Sequence, residues 1–200
     1  MMFVELAKNG WKMELISVNP MIGPSAETLL SLGAKSTDYI VNEGQYYRLI
    51  TPMFLHAGWI HYFLNMFAIY AIGTAIEIEH GWLASAVIFI ASSVGGTILS
   101  ALFLPRFISV GASGGIFGLI GACLADIILN WNLVFGSQYN MKEMDFCRKV
   151  SMVIFLLSDV AINCLVGFTP FVDNFTSKFY PRKQFCVILF RRFPLKYSSW

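Results

Sequence analysis

Apolar residues in this chain fall into long blocks separated by short polar breaks, and several blocks have the length that a bilayer demands. A membrane-spanning helix needs about 20 predominantly apolar residues. Residues 57–76 contain no Asp, Glu, Lys or Arg but do carry His61 and Asn65; Glu77, Glu79 and His80 then end the block and Gly81 makes a turn. Residues 82–104 form a second block without any charge, opened by Trp82 and closed by Pro105 and Arg106. Trp82 suits an anchor at the membrane interface. A third block starts at Ser113 and runs to about residue 130, with Asp126 near its far end, and a fourth, 150–168, holds Asp159 and Asn163. Ionisable residues at such depths are candidates for function, or else for hydrogen bonds between helices. Small residues recur every four positions at Ser92, Gly96 and Ser100, and again at Gly114, Gly118 and Ala122. Such faces let helix backbones approach closely. The pattern predicts an all-α, polytopic membrane helix bundle with four spans.

Residues 1–56 are mixed in character and read as a lead-in and interfacial loop region, punctuated by Pro20, Gly23, Pro24 and Gly33. Short apolar pieces such as 26–32 suit amphipathic helices lying in the interface. Residues 1–19 read as neither a signal peptide nor a span, because Glu5, Lys8, Lys12 and Glu14 break their apolar stretches. The transmembrane core is expected over 57–175, followed by a tail at 176–200. That tail holds Lys178, Arg182, Lys183, Arg191, Arg192 and Lys196 and no acid. The loop 130–149 contains Lys142, Arg148 and Lys149, so the positive-inside rule puts it in the cytosol and the tail on the opposite side. A tail that basic fits there only if it folds back on the membrane surface or is foreign to the bundle.

Composition agrees with a membrane protein. The chain of 200 residues is 56% hydrophobic and 13% charged, against about 45–50% and about 25% in soluble domains. Its net charge of +2 gives no reason to expect nucleic acid. The cysteines Cys123, Cys147, Cys164 and Cys186 stand singly, with no CxxC and no metal-ligand spacing, and read as packing residues. Neither a metal nor an organic cofactor is expected.

Three local features carry candidate chemistry. Gly111-Ala112-Ser113-Gly114 opens the third block, where free backbone N–H groups and the positive end of a helix dipole would sit beside the serine hydroxyl. His61 and Asn65, at i and i+4, share one face of an otherwise apolar helix. Gln45-Tyr46-Tyr47-Arg48 lies just ahead of the first block. Taken singly, each has a structural explanation: glycine-mediated packing with a capping Ser, hydrogen bonding between helices, and a snorkelling Arg.

Together these motifs resemble the rhomboid family of intramembrane serine proteases over roughly residues 18–175. Gln45 and Arg48 match its Gln/Glu-x-Trp-Arg motif, with Tyr47 for Trp. His61 and Asn65 match its His-x-x-x-Asn motif, and Gly111, Ser113 and Gly114 its Gly-x-Ser-Gly motif. The resemblance implies a six-span core with Ser113 as nucleophile in a water-filled cavity. It also implies an oxyanion hole from the Ser113 N–H, His61 and Asn65, with Gly111 and Gly114 shaping it. Gln45 and Arg48 would be structural, and a His on the last core helix would act as base. The substrates implied are single-span membrane proteins, cut where their helix unwinds.

The resemblance breaks after residues 171–175. Thr176 and Ser177 stand where the family has Ala-His, and the histidines of the chain are His56, His61 and His80, all upstream. The chain thus reads as four spans of a six-span core, from a truncated or alternatively spliced product or a faulty gene model. Two other functions stay open: a catalytically inactive relative that binds transmembrane clients, and a small transporter or channel subunit with His61, Asn65, Asp126 and Asp159 along its pathway. A secretory-pathway or plasma membrane is the expected location.

Overall fold

The computed structural model describes residues 1–129 and Ile154. The fourth block with Asp159 and Asn163, the loop 130–149, the stretch 171–175, Ser177, the basic tail and the cysteines 147, 164 and 186 lie outside the described residues. In chain order, three short helices come first: α1 (Met2–Lys8), α2 (Ala26–Ser31) and α3 (Thr37–Asn42). Two 3-10 turns follow, Tyr46–Leu49 and Thr51–Phe54. Then come α4 (Trp59–Ala68), a π-helical turn (Ile69–Gly73), α5 (Thr74–His80), α6 (Trp82–Phe103) and α7 (Ser113–Leu129). There is no strand among the described residues, only a bridge between Lys35 and Ser109.

α4, the π turn and α5 make one continuous run, Trp59–His80, of 22 residues, and α6 has the same length. At the α-helical rise each covers about 33 Å, enough for a hydrocarbon core of about 30 Å. Both expose large apolar side chains, among them Phe63, Phe67 and Tyr70 on the first run and Val87, Ile90 and Leu102 on α6. The first run does not stop at residue 76 as its charges suggest. Glu77, Glu79 and His80 form its exposed last turn, where water can reach the charges. Gly81 then breaks the helix with φ +84° and leads straight into α6. α7 has 17 residues up to Leu129.

The small faces of α6 and α7 meet. A methyl at Gly96 would lie 3.6 Å from the Gly114 Cα, one at Gly114 would lie 3.3 Å from the Ser93 Cα, and one at Gly118 would run into the Ser92 hydroxyl. Without side chains at these positions the backbones come close enough for dispersion contacts, which drive association where lipid is as apolar as the helices. Below the crossing, Ala68, Ile72 and Ile76 pack with Ile116, Leu119, Ile120 and Cys123.

The lead-in is an ordered platform. Ser25 caps α2 by accepting the Thr28 N–H at 3.3 Å. Leu29, Ala34 and Leu55 form a second core with Ile108 and Val110 from the loop before α7. The Lys35 side chain is buried, with Nζ donating to the carbonyls of Leu104 (2.7 Å) and Phe107 (2.8 Å). It thereby places a cation at the C-terminal end of α6, where the helix dipole favours one. Burial pulls its amine down to about 8.

Candidate active site at the start of α7

Ser113 is the first residue of α7. The Ala112 carbonyl accepts from the N–H groups of Gly115 (3.0 Å) and Ile116 (3.1 Å), which closes the first turn. The N–H groups of Ser113 and Gly114 have no backbone partner among the described residues, as expected of the first donors of a helix. Ser113 itself is partly exposed. Gly111, two residues earlier, has φ +118°, a conformation that L side chains rarely adopt. Its N–H donates to the Pro52 carbonyl at 2.8 Å, tying the loop to the platform.

Gly111 brings the serine loop against the polar pair of α4. A methyl on Gly111 would lie 2.6 Å from His61 Cε1, 2.8 Å from His61 Nε2 and 3.7 Å from Asn65 Nδ2. The glycine is therefore required twice, by backbone conformation and by space. His61 Nδ1 accepts the Ala57 N–H at 3.2 Å. A neutral imidazole that accepts at Nδ1 carries its proton on Nε2, the nitrogen that faces Gly111. Asn65 is buried and donates one Nδ2 hydrogen to the His61 carbonyl at 3.0 Å. The structure thus groups His61, Asn65, Gly111 and the start of α7. Gly114 serves packing as well, lying against Ser93 and Gly96.

Gln45 and Arg48 lie in the platform. Arg48 does not snorkel: it is buried, donating to Gln45 Oε1 (2.7 Å) and to the carbonyls of Leu30 (2.8 Å) and Ala34 (2.8 Å). Its guanidinium lies 4.6 Å from the centre of the Tyr39 ring. Tyr47, where the family motif has Trp, donates its hydroxyl to the same Gln45 oxygen at 2.8 Å. These bonds satisfy a desolvated cation with neutral acceptors and fold the chain ahead of α4.

Asp126 stands elsewhere. It pairs with His80 at 2.7 Å, linking the end of α5 to α7, about 20 Å along α7 from Ser113 at the helical rise. A shared pathway for His61, Asn65 and Asp126 has no support in this arrangement.

Sequence reasoning missed Glu5 and His56. Glu5 of α1 is fully buried, and its Oε1 accepts the His56 N–H at 3.1 Å. Burial pushes its carboxyl up to about 7, against the lowering effect of that N–H. The His56 ring is buried 5.5 Å from the His61 ring and 5.2 Å from the Tyr62 ring. Burial, reinforced by His61, pulls it down to about 4. Neither its ring nitrogens nor Glu5 Oε2 has a hydrogen-bond partner among the described residues. A glutamate in a short amphipathic stretch reads as solvent-facing, so no local signal marks it.

No group of three or more His, Cys, Asp or Glu side chains among the described residues is arranged to hold a metal ion.

Two of the described helices are long and apolar enough to cross a membrane. The rhomboid domain model matches residues 43–177, and the chain belongs to the rhomboid family. It is 41% identical over 157 residues to RHOMBOID-like protein 6, mitochondrial, of Arabidopsis thaliana, covering 78% of this chain and 47% of that protein. It is 35% identical over 162 residues to Inactive RHOMBOID-like protein 8 of the same plant, covering 81% and 43% respectively. Against Rhomboid protease GluP of Bacillus subtilis the identity is 41% over 100 residues, covering 50% of this chain and 19% of that one. The chain thus spans less than half the length of these relatives.

Proposed function

We propose that this chain carries the nucleophile and oxyanion machinery of a rhomboid-type intramembrane serine endopeptidase. The approach of Gly111 to His61 and Asn65, at the mouth of the helix that begins with Ser113, carries this reading. In it, the Ser113 hydroxyl oxygen attacks a peptide carbonyl of an unwound transmembrane segment. The developing oxyanion accepts from the Ser113 N–H, from His61 Nε2–H and from the free Asn65 Nδ2 hydrogen. Donors fixed in advance around a developing charge are among the strongest catalytic devices of enzymes, each worth about 2.7–4 kcal/mol. Substrates must unwind locally, because carbonyls within a helix are already hydrogen-bonded.

The reaction also needs a base for the hydroxyl proton. No histidine follows His80 in this sequence, and Ser177 stands at the position where the family motif has it. That observation favours a second reading, a non-catalytic relative that binds transmembrane clients. A relative whose name calls it inactive is 35% identical. Losing a base lowers turnover by orders of magnitude while an oxyanion hole leaves residual catalysis, so this chain is expected to turn over feebly.

The deciding experiment is cleavage of a single-span substrate in proteoliposomes by this chain and by Ser113→Ala. Slow cleavage that vanishes in the variant supports the protease reading. Equal background from both, with the protein inserted and folded, supports the client-binding one. The membrane of residence is proposed as secretory-pathway or plasma membrane. Cell fractionation tests this against the organelle named for one 41% identical relative.

A further inference from the structure

The segment ahead of the family match, which begins at residue 43, makes a set of contacts that converge on the peptide units just before His61. The first N–H groups of α4 need acceptors. The Trp59 N–H donates to the Ile22 carbonyl (3.0 Å) and the Ile60 N–H to the Met21 carbonyl (3.3 Å). Ile22 holds φ +55° to present that carbonyl, a genuine outlier for a β-branched residue and a mark of surroundings that over-determine it. The two backbones touch so closely that a methyl at Gly23 would strike the Ala57 carbonyl oxygen, and one at Gly58 the Met21 carbonyl oxygen.

Two side chains lock this contact. Asn19 Nδ2 donates to the Ala57 carbonyl (2.8 Å) and the Pro24 carbonyl (3.1 Å), while its Oδ1 accepts the Met21 N–H (3.0 Å). Glu5 accepts the N–H of His56 and Asn19 holds the Ala57 carbonyl, so the peptide units on either side of the His56–Ala57 unit are held from the lead-in. Phe3 adds an edge-on contact with Trp59, with ring centres 5.7 Å apart. The held segment then supplies the Ala57 N–H that bonds His61 Nδ1.

We infer that Glu5 and Asn19 are positioning residues for His61, holding the two peptide units that flank the His56–Ala57 unit so that its N–H stays on Nδ1 and the imidazole keeps its proton on the nitrogen facing Gly111. The inference rests on the oxyanion role proposed for His61, and it accounts for three otherwise unconnected features. These are a buried carboxylate on a backbone N–H, an asparagine bridging two distant turns, and a left-handed isoleucine. A misdirected Ala57 N–H would free His61 Nδ1 to take the proton, turning an acceptor toward the developing charge.

The test is nitrogen NMR of the full chain labelled with 15N-histidine in lipid nanodiscs, with His61 assigned by comparison with His61→Gln. In the native chain His61 should show an acceptor-type Nδ1 and a protonated Nε2. Asn19→Asp, which keeps the Met21 bond but loses both donors, and Glu5→Ala should each move the two His61 signals toward a tautomer-averaged position. Glu5→Gln, which keeps an acceptor for the His56 N–H, should restore the native signature. The His80 resonance, at the other end of the bundle, is the internal control for fold. Unchanged His61 signals in both Asn19→Asp and Glu5→Ala overturn the inference. So does joint movement of His80 and His61, which would make Glu5 and Asn19 supports of the whole fold. Fluorophosphonate labelling of Ser113 in the native chain is read separately: if it fails while the tautomer result holds, the catalytic reading falls and the coupling stands.

Discussion

Gly111, in the loop that leads into α7, lies so close to His61 of α4 that a β-carbon on the glycine would fall 2.6 Å from Cε1 and 2.8 Å from Nε2 of the imidazole. Gly111→Ala must therefore push His61 aside and also force a β-carbon into φ +118°. Displacement of about 1 Å at a catalytic centre costs on the order of 100-fold. Fluorophosphonate labelling of Ser113 is expected to drop by at least about 10-fold in this variant, with the helix content by circular dichroism unchanged. Native-level labelling would show that the contact has no bearing on the serine.

The crossing of α6 and α7 makes a second expectation. Gly118→Ala places a methyl onto the Ser92 side chain, and overpacking of this kind costs about 1–3 kcal/mol. Adding Ser92→Gly removes the obstructing atoms, so the double variant should recover part of that loss. Unfolding of the reconstituted protein, followed for both singles and the double, measures the recovery. Additive losses would mean that the helices separate rather than interlock at this point.

Glu5 and His56 give the docking of α1 a dependence on pH. Glu5 is raised from 4.5 to about 7 when buried. Between those values only the undocked chain gives up the proton, so the docked state loses stability as pH climbs through that window. His56 is lowered from 6.5 to about 4, so its contribution is lost as pH falls from 6.5 toward 4. The two effects oppose each other over the shared range of roughly 4.5–6.5. Docking should be near constant there and weaken on either side. Glu5→Gln should abolish the alkaline weakening, about 0.7 kcal/mol over the half pH unit that His56 does not offset, and unmask a rise in docking with pH between about 4 and 6.5. Proteolysis of the lead-in against pH reads both out. A native alkaline limb that persists in the Gln variant would assign it to another group.

The His80–Asp126 pair should matter little to stability. Its side chains are 42% and 35% exposed, and surface pairs contribute about 0.2–1 kcal/mol. A double-mutant cycle with alanine at both positions is expected to give a coupling in that range, diminished by salt. A coupling of several kcal/mol would mean that the pair is shielded by parts of the protein beyond the described residues.

Sequence patterning anticipated the features whose physics is local or one-dimensional. The blocks around His61 and Ser92 become helices because lipid offers no partner for exposed backbone groups. His61 and Asn65 share a face because four residues make about one turn. The small faces at Gly96 and Gly114 are visible as a four-residue rhythm, although the rhythm does not say that they meet each other. What escaped reading depends on contacts distant in sequence. Arg48 looks like an interfacial cation until the carbonyls of Leu30 and Ala34 surround it. Glu5 looks like a break in an apolar stretch until His56 covers it. The carbonyls of Met21 and Ile22 that cap α4 leave no trace in side-chain chemistry at all, since any residue has a carbonyl.

Lys35 turns the platform into something a chemist can time. Its amine is sealed between the carbonyls of Leu104 and Phe107, so an acylating reagent reaches it only after the loop between α6 and α7 has come away. Residue-resolved acylation, run as a function of time beside the exposed Lys8, would then act as a clock for that opening, written permanently into the protein and read by mass spectrometry.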